Sequence, residues 1–556
     1  MKLKFAFFVL TALCTATGCV KDYPENAIEP DVLPLSDAEP HYWAGNTKVV
    51  MKAQPEKSFI IFNGEDRYDI IDAEKMDYHV FKTAQVPEGR MFSKGLTRAA
   101  DVENATWAIG STRAFEMSED KILYKSQAYT NSKGVDVFVS HLFYVKLKSA
   151  EDYPVLQRMA DENGVEIIGE VGARLDLWHK LACSAQSDCD ALAMSARFYE
   201  SGLFQYAEPD IMFEVRSCSK QPNSYPEYQA PTRAADAPAP NDPLFPQQWY
   251  LHNPGGLDIN YLEAKAITQG SSDIKILLSD IEEIACNHPD LPEIVKYELP
   301  IDADDWHGTA CAGIISAKTN NGEGITGIAP NCQLYYVQVP RTYNIDNAPT
   351  IADVFGCAFG MDVMSCSWHI PYIFDEHDCT MIETAIAMRF QDGRWHHTCE
   401  KDLGTVIVFA AGNDNSYDVC YPAITFSETI AVGAMLKNGK RHPLSNYGIR
   451  LDLVAPGENI VTTTTTIAGF DERYYTPFFD MTSSACPQVA AVAALILSVN
   501  PDLYYYEVEN YLTATATELG RKADGSYENG ANPFYLGAGL LNAGAALQAV
   551  LNDMEK

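Results

Sequence analysis

The chain has 556 residues, 41 basic against 75 acidic side chains, a formal charge of −34 and 47% hydrophobic residues. That composition is globular rather than disordered, and the length calls for two to four domains. The acidic balance argues against nucleic acid or anionic lipid as a main partner, no apolar run of about 20 residues follows the N-terminus, and no fixed-period repeat occurs.

Lys2 and Lys4 precede an apolar stretch from Phe5 to Leu13, then Thr15-Ala16-Thr17-Gly18-Cys19, the layout of an export signal. Cys19 behind Gly18 resembles the lipobox of bacterial lipoproteins, although Ala16 stands where that box usually has Leu. The resemblance implies a signal over residues 1–18, cleavage before Cys19 and lipidation of its thiol. Several acyl chains would anchor the protein to the cell envelope, on a face the sequence does not specify. The other reading is an ordinary secretion signal with a chance Cys; both export the chain. Of the 14 Cys, all but Cys14 and Cys19 remain after the signal. Export makes disulfides an expectation, with Cys183/Cys189 and Cys379/Cys399 spaced for local loops. No CxxC pair or Cys/His cluster has zinc spacing along the chain.

Residues 19–140 read as a β-rich region of short runs such as Ser58-Phe59-Ile60-Ile61-Phe62, with no function attached. Residues 141–216 follow a βαββαβ order. Strand-like segments are His141 to Leu147, Val165 to Val171, Arg174 to Leu181 and Ile211 to Val215; helix-like segments are Asp152 to Asn163 and Asp190 to Gly202. That order fits a small ferredoxin-like α+β domain. Residues 217–240, with Pro222, Pro226, Pro231 and Ala237-Pro238-Ala239-Pro240, read as an exposed linker. From 241 to 556 the texture changes. Ile274 to Leu278, Gln333 to Val339 and Val406 to Ala410 are continuous apolar runs, as in strands buried on both faces. Helix-like Ala310 to Lys318, Ala352 to Phe359 and Gln488 to Ser498 separate them, so an α/β domain with a mostly parallel, doubly wound sheet is expected.

Three segments carry chemistry. Ile276-Leu277-Leu278-Ser279-Asp280 is an apolar run ending in a carboxylate, His307-Gly308-Thr309-Ala310-Cys311-Ala312-Gly313 opens with an imidazole, and Thr482-Ser483-Ser484-Ala485-Cys486-Pro487 precedes an Ala-rich helix. A Ser hydroxyl is a weak nucleophile until a base takes its proton. An imidazole does so, and a buried carboxylate fixes its tautomer and stabilises the imidazolium.

Here the chain resembles the subtilase family of serine proteases, whose catalytic order is Asp, His, Ser. Val408-Phe409-Ala410-Ala411-Gly412-Asn413, Ser445-Asn446-Tyr447-Gly448, Ala455-Pro456-Gly457 and Gly537-Ala538-Gly539-Leu540-Leu541-Asn542-Ala543 extend the likeness over roughly Pro240 to Leu551. Asn241-Asp242-Pro243-Leu244-Phe245 and Ser365-Cys366-Ser367-Trp368 look like its kexin branch. The resemblance implies a subtilisin-like catalytic domain with Ser483 as nucleophile, His307 as general base and acid, Asp280 as orienting carboxylate and Asn413 as oxyanion donor. Ser367 and Trp368 on one side, and Ala411 and Gly412 on the other, would form backbone walls for an extended protein or peptide substrate. Asp242, Asp290 and Asn321 match a structural calcium site; catalysis itself needs no cofactor. Residues 141–216 resemble the propeptide that inhibits this family, which places a maturation boundary near Asn241. A monomer is expected.

Departures from the pattern are specific. Ile281-Glu282 follows Asp280 where a small or acidic residue and Gly are usual, leaving Glu282 or Glu283 as the fallback carboxylate. Met481 precedes Thr482 and His369 follows Trp368 where Gly is usual. Asp375, Glu376, Asp414 and Asp418 lie near the walls and leave open a preference for basic side chains. These changes also motivate an alternative, a binding or scaffold protein that keeps the fold without the activity.

Overall fold

The structure is a computed structural model that describes residues 39–63, 78–82, 105–111, 122–132, 134–171, 175–184, 186–212, 216–217, 238–282, 284–297, 306–339, 351–370, 379–396, 401–465, 474–522, 526–527 and 532–555. Cys19, Glu283, Asp375, Glu376, Cys399 and linker residues 218–237 lie outside them.

Strands β1 (His41–Ala44), β2 (Thr47–Val50), β3 (Lys52–Asn63), β4 (Tyr78–Lys82), β5 (Ala105–Ser111) and β6 (Ile122–Thr130) come first. Then follow β7 (Asp136–Lys146), α1 (Tyr153–Glu162), β8 (Val165–Glu170), β9 (Trp178–Cys183), α2 (Ala191–Glu200) and β10 (Tyr206–Met212). The βαββαβ order has the antiparallel arrangement β10-β7-β9-β8. The strand β7 opens at Asp136, ahead of His141, and its first residues pair with Tyr129 and Thr130 of β6. Ser140 and His141 interrupt its apolar run yet are buried, and Ser140 Oγ donates to Asp210 Oδ2 at 2.6 Å. Buried polar residues, with Ser140 satisfied from a neighbouring strand, hide the strand's true start from a hydrophobicity pattern. Cys183 and Cys189 remain separate thiols, as does Cys379, so the suggested 183–189 bridge is absent. Cys183 ends β9 buried in this unit's core, and Cys189 packs against the same core as a separate thiol.

The second unit holds the seven-stranded parallel sheet. Its elements begin with α3 (Tyr261–Ile267), β12 (Lys275–Asp280), β13 (Ile294–Tyr297), α4 (His307–Ser316), β14 (Gln333–Gln338), α5 (Ile351–Gly356), β15 (Val363–Cys366) and β16 (Trp368–His369). They continue with α6 (Thr380–Asp392), the short pair β17 (Trp395–His396) and β18 (Lys401–Asp402), β19 (Val406–Ala410), β20 (Ile430–Met435) and β21 (Leu453–Pro456). The hairpin β22 (Ile460–Thr463) and β23 (Tyr475–Phe479) leads into α7 (Met481–Val499), then α8 (Tyr505–Ala514), α9 (Pro533–Leu536) and α10 (Ala543–Met554). Every residue of β19 and β20 is buried, which accounts for their unbroken apolar character. One short strand, β11 (Arg216–Ser217), reaches over from the first unit to pair with β16.

Strand order is β13-β14-β12-β15-β19-β20-β21. The chain builds outward from β12 in one direction and from β15 in the other, so the topological switch lies between them. In open α/β sheets the functional crevice sits at the C-terminal ends of strands flanking such a switch. Asp280 ends β12 and Ser367 follows β15. Helix α7 packs across these strands; it is long and apolar enough to cross a membrane, but almost all of it is buried inside the domain.

Candidate active site

Asp280, His307 and Ser483, 203 residues apart at the extremes, meet at that crevice with no exposed surface. His307 Nδ1 lies 2.9 and 2.8 Å from the two Asp280 carboxylate oxygens, and Nε2 lies 3.0 Å from Ser483 Oγ. An ionised carboxylate only accepts, so Nδ1 carries the proton and Nε2 presents its lone pair to the hydroxyl. The altered surroundings of Asp280 leave the register intact. Glu282 instead faces the start of α4, where its Oε2 accepts from the His307 backbone N–H at 3.1 Å. Its own N–H donates to Asp280 Oδ1 at 3.2 Å.

Ser483 is the third residue of α7, where a helix leaves backbone N–H groups without intrahelical acceptors. Two of these donors are claimed: Met481 N–H by the Gly457 carbonyl at 2.9 Å, and Thr482 N–H by Asn413 Oδ1 at 3.3 Å. Thr482 Oγ1 donates to the same oxygen at 2.9 Å. Fixing Oδ1 against Thr482 orients the Asn413 amide with its nitrogen on the opposite side. The Pro487 ring explains another part of the motif. It lacks the N–H that would bond the Ser483 carbonyl, and that carbonyl accepts from Ser367 Oγ at 3.1 Å. Met481 sits at φ 65°, the left-handed region in which Gly is unstrained, so a Met stands at a backbone position that suits Gly. Gly313 has a packing reason: a Cβ there would come within 2.2 Å of Thr463 Oγ1 on β22.

The two expected walls fare differently. Trp368 and His369 pair antiparallel with Ser217 and Arg216, so a chain segment runs along this edge as an added strand. The Trp368 ring itself is core, with Nε1 donating to Ser279 Oγ at 2.8 Å. On the other side, Ala411 N–H donates to Val432, and the Ala411 carbonyl accepts from Cys420 N–H and Asn446 Nδ2. The Gly412 carbonyl accepts from Asn446 N–H. These groups hold the Asn413 loop, and among the described residues no antiparallel strand runs along Ala411 and Gly412 as β11 does along β16. Asn446 also accepts from Asp414 and Ser416 N–H at 2.9 and 3.0 Å.

Asp242, Asp290 and Asn321 converge beneath a neighbouring loop. Asp242 accepts from the N–H groups of Asn320 and Asn321 at 3.0 and 3.1 Å, and Asp290 from Ile325 N–H at 2.9 Å. Asn321 Nδ2 donates to Asp290 Oδ1 at 2.7 Å. Both carboxylates are buried, and burial, with Asp242 nearby, pushes the Asp290 carboxyl up to about 6. Two buried acids without a cationic side chain in salt-bridge range, among the described residues, form an oxygen-only set that suits Ca²⁺.

Several contributors have roles that the sequence did not show. Glu282, the fallback for the orienting carboxylate, accepts from the His307 N–H instead, and Ser367 Oγ acts through its side chain where only a backbone wall was expected. Glu208 of β10 is 3% exposed and accepts from Thr380 and Met381 N–H at 2.9 and 2.8 Å, capping α6 from the other unit. Only the pairing of the two units brings it there.

Residues 281–539 match the model of the Subtilase family. The chain is 33% identical over 308 residues to a thermophilic serine proteinase of Bacillus sp. (strain AK1), covering 53% of this chain and 64% of that protein. It is 32% identical over 276 residues to subtilisin DY of Bacillus licheniformis, covering 48% and 88%. The match thus spans somewhat less than two thirds of the first relative and most of the second. Among solved structures it is similar to fervidolysin from Fervidobacterium pennivorans, a keratinolytic enzyme related to subtilisin, with a TM-score of 0.55, 19% identity, and 74% and 61% coverage of the two chains. Motif, fold and identity agree, and the chain belongs to the subtilase family of serine endopeptidases.

Proposed function

We propose that the protein is an exported serine endopeptidase made as an inactive precursor. The observation that carries the reading is the hydrogen-bonded series from Asp280 through His307 to Ser483, at 2.8 and 3.0 Å. Ser483 Oγ attacks the scissile carbonyl while His307 Nε2 takes its proton, and Asp280 holds Nδ1–H and stabilises the imidazolium. The oxyanion is received by the Ser483 N–H and the Asn413 amide, at the positive end of the 19-residue helix α7. His307 then protonates the leaving amine, and water repeats the sequence on the acyl-enzyme.

The precursor reading rests on β11. Arg216 and Ser217 occupy the edge a substrate strand needs, and Ser483 has no exposed surface. Residues 141–216 act as the inhibitor, a first cut falls soon after Ser217, and trimming proceeds toward Asn241. The Asn241 side chain is already docked, accepting from Gly322 N–H at 3.0 Å. Export follows from residues 1–18, with a lipid anchor on Cys19 as the finer proposal. Ca²⁺ held by Asp242, Asp290 and Asn321 would brace the loop between residues 319 and 325. Substrates are proteins or peptides, and the working form is a monomer.

The decisive experiment is intact mass of the signal-free chain and of its Ser483→Ala variant, each incubated with calcium. Loss of the N-terminal portion in the wild type alone is the expected result. If the wild type stays uncut, and stays inactive toward peptides after an added protease opens the linker, the scaffold alternative replaces this reading. Chelation is expected to lower the thermal midpoint by about 5 °C or more if calcium is bound well above its Kd; an unmoved midpoint removes the calcium site.

A further inference from the structure

His369 is the substitution in the substrate edge that the peptidase chemistry leaves without a role. Its Nε2 points to Asp414 Oδ2 at 3.9 Å, and Cys420 Sγ lies 3.7 Å from the same oxygen. All three donor atoms lie within 4.8 Å of one another. We propose that His369, Asp414 and Cys420 form a transition-metal site, of the kind that takes Zn²⁺, beside the cleft.

Imidazole nitrogen, thiolate sulfur and carboxylate oxygen together are a zinc ligand set with a fourth position left open. Ca²⁺ and Mg²⁺, which take oxygen ligands, are poorly served by it. Bond lengths of 2.0–2.3 Å around a tetrahedral ion put its ligand atoms about 3.3–3.8 Å apart, so spacings of 3.9 and 3.7 Å, with none above 4.8 Å, need contractions of about 1 Å or less. The ligands are also held in advance. One residue beyond His369 and Cys420, Ile370 N–H donates to the Tyr421 carbonyl at 3.1 Å, which fixes the two segments against each other. Asn446 Nδ2 donates to Cys420 Sγ at 3.2 Å while its Oδ1 accepts from Asp414 N–H. A donor to sulfur favours the thiolate that metal binding requires. Gly412 makes room for the sulfur, since a Cβ there would come within 2.4 Å of it. His369 and Cys420 are buried, but the Asp414 side chain is 44% exposed, giving an ion a way in with β11 in place. His369 belongs to the substrate edge and Asp414 follows Asn413, so a bound ion would tie that edge to the oxyanion loop.

The test uses the full chain carrying Ser483→Ala, which makes it independent of whether the peptidase reading holds. Zn²⁺ binding is measured by equilibrium dialysis under a non-chelating reductant, and Co²⁺ serves as the optical probe, since a sulfur ligand gives a thiolate-to-cobalt band. The expected result is one Zn²⁺ per chain, weakened at least about tenfold by His369→Gly and by Cys420→Ser, with the cobalt band lost in the latter. Cys311→Ser is the control, because Asp280, His307 and Cys311 make the second close-set trio among the described residues. No Zn²⁺ bound, or binding lost on Cys311→Ser and kept in His369→Gly, overturns the proposal. His369→Gly restores the family's residue on an edge strand, so it tests the idea even if Cys420→Ser fails to fold.

Discussion

Helices α4 and α7 both begin inside the cleft and both hold a reacting group in their first turn, yet their N-termini are finished in opposite ways. At α4 a carboxylate, Glu282, takes the His307 N–H. At α7 the neutral amide oxygen of Asn413 takes the Thr482 N–H and nothing among the described residues takes that of Ser483. The positive end of a helix stabilises an anion and opposes a cation. In the proposed mechanism Ser483 supports an oxyanion, and its helix end offers the Ser483 N–H while the carboxylate of the N-cap residue, Asp480, accepts from the Asn459 N–H. His307 becomes an imidazolium in the same mechanism, and its helix end is offset by an acid. The chemistry each group passes through matches the cap it has been given.

The most severe way to break this contrast is Asn413→Ala, which removes an oxyanion donor and releases Thr482 together. The expected loss is about 3–4 kcal/mol of transition-state stabilisation, a 10²- to 10³-fold fall in kcat with little change in KM. A fall confined to KM would refute the assignment.

Helix α6 extends the contrast, since its cap, Glu208, belongs to the other unit. Burial pushes that carboxyl up to about 7, against the N–H bonds that favour its ionised form. The sign follows directly. The docked state holds a proton that the free state, near 4.5, has released, so docking is fully supported below about 4.5 and that support is lost as pH rises to about 7. After cleavage, the affinity of the released 141–216 segment for the catalytic domain should fall by up to about tenfold per pH unit in that window. Titration calorimetry at several pH values measures it, and Glu208→Gln should flatten the slope.

Glu282→Gln keeps the hydrogen bond and removes the charge. Loss of about 1 kcal/mol of support for the imidazolium is expected, with the acidic limb of the kcat/KM profile moving to lower pH as the His307 pKa drops. An unshifted limb would reduce Glu282 to a simple cap. The smallest effect concerns Met481. Burial of its side chain complicates any single replacement, so the pair Met481→Ala and Met481→Gly is compared. Gly is ordinarily the worse helix residue by about 0.5–1 kcal/mol, but at φ 65° the order should reverse, with Gly the more stable by about 1 kcal/mol.

How much of this was legible beforehand depended on whether a residue acts through its own segment or through a distant one. Asp280, His307, Ser483 and Asn413 each sit at the end of a run whose local pattern betrays its element, an apolar strand or an Ala-rich helix, and each motif is dense enough to identify. The parallel sheet was legible for the same reason, since β19 is apolar throughout and β12 and β14 carry the runs Ile276–Leu278 and Leu334–Val337. Glu282, Glu208 and Ser367 Oγ were not, because each acts on a backbone group that only the tertiary fold brings near. Ala411 and Gly412 were assigned to a wall because the motif names them, whereas their carbonyl bonds to Asn446 and Cys420 arise from a loop some 30 residues away or from a turn. The early start of β7 was concealed by Ser140 and His141, buried polar residues of which Ser140 bonds to another strand. The local zinc spacing that the chain lacks is likewise replaced, at His369 and Cys420, by the pairing of two segments distant in sequence.

The complete burial of Ser483 changes what a reagent for serine hydroxyls would report. In the uncut chain the nucleophile is fully assembled but has no surface, so a fluorophosphonate cannot distinguish an unfolded site from a finished one that is still covered. Under the precursor reading proposed above, release of the segment that ends in β11 is expected to make the same hydroxyl accessible. Labelling would then work as a clock, with the fraction tagged at each moment counting molecules that have been unlocked rather than molecules that have folded.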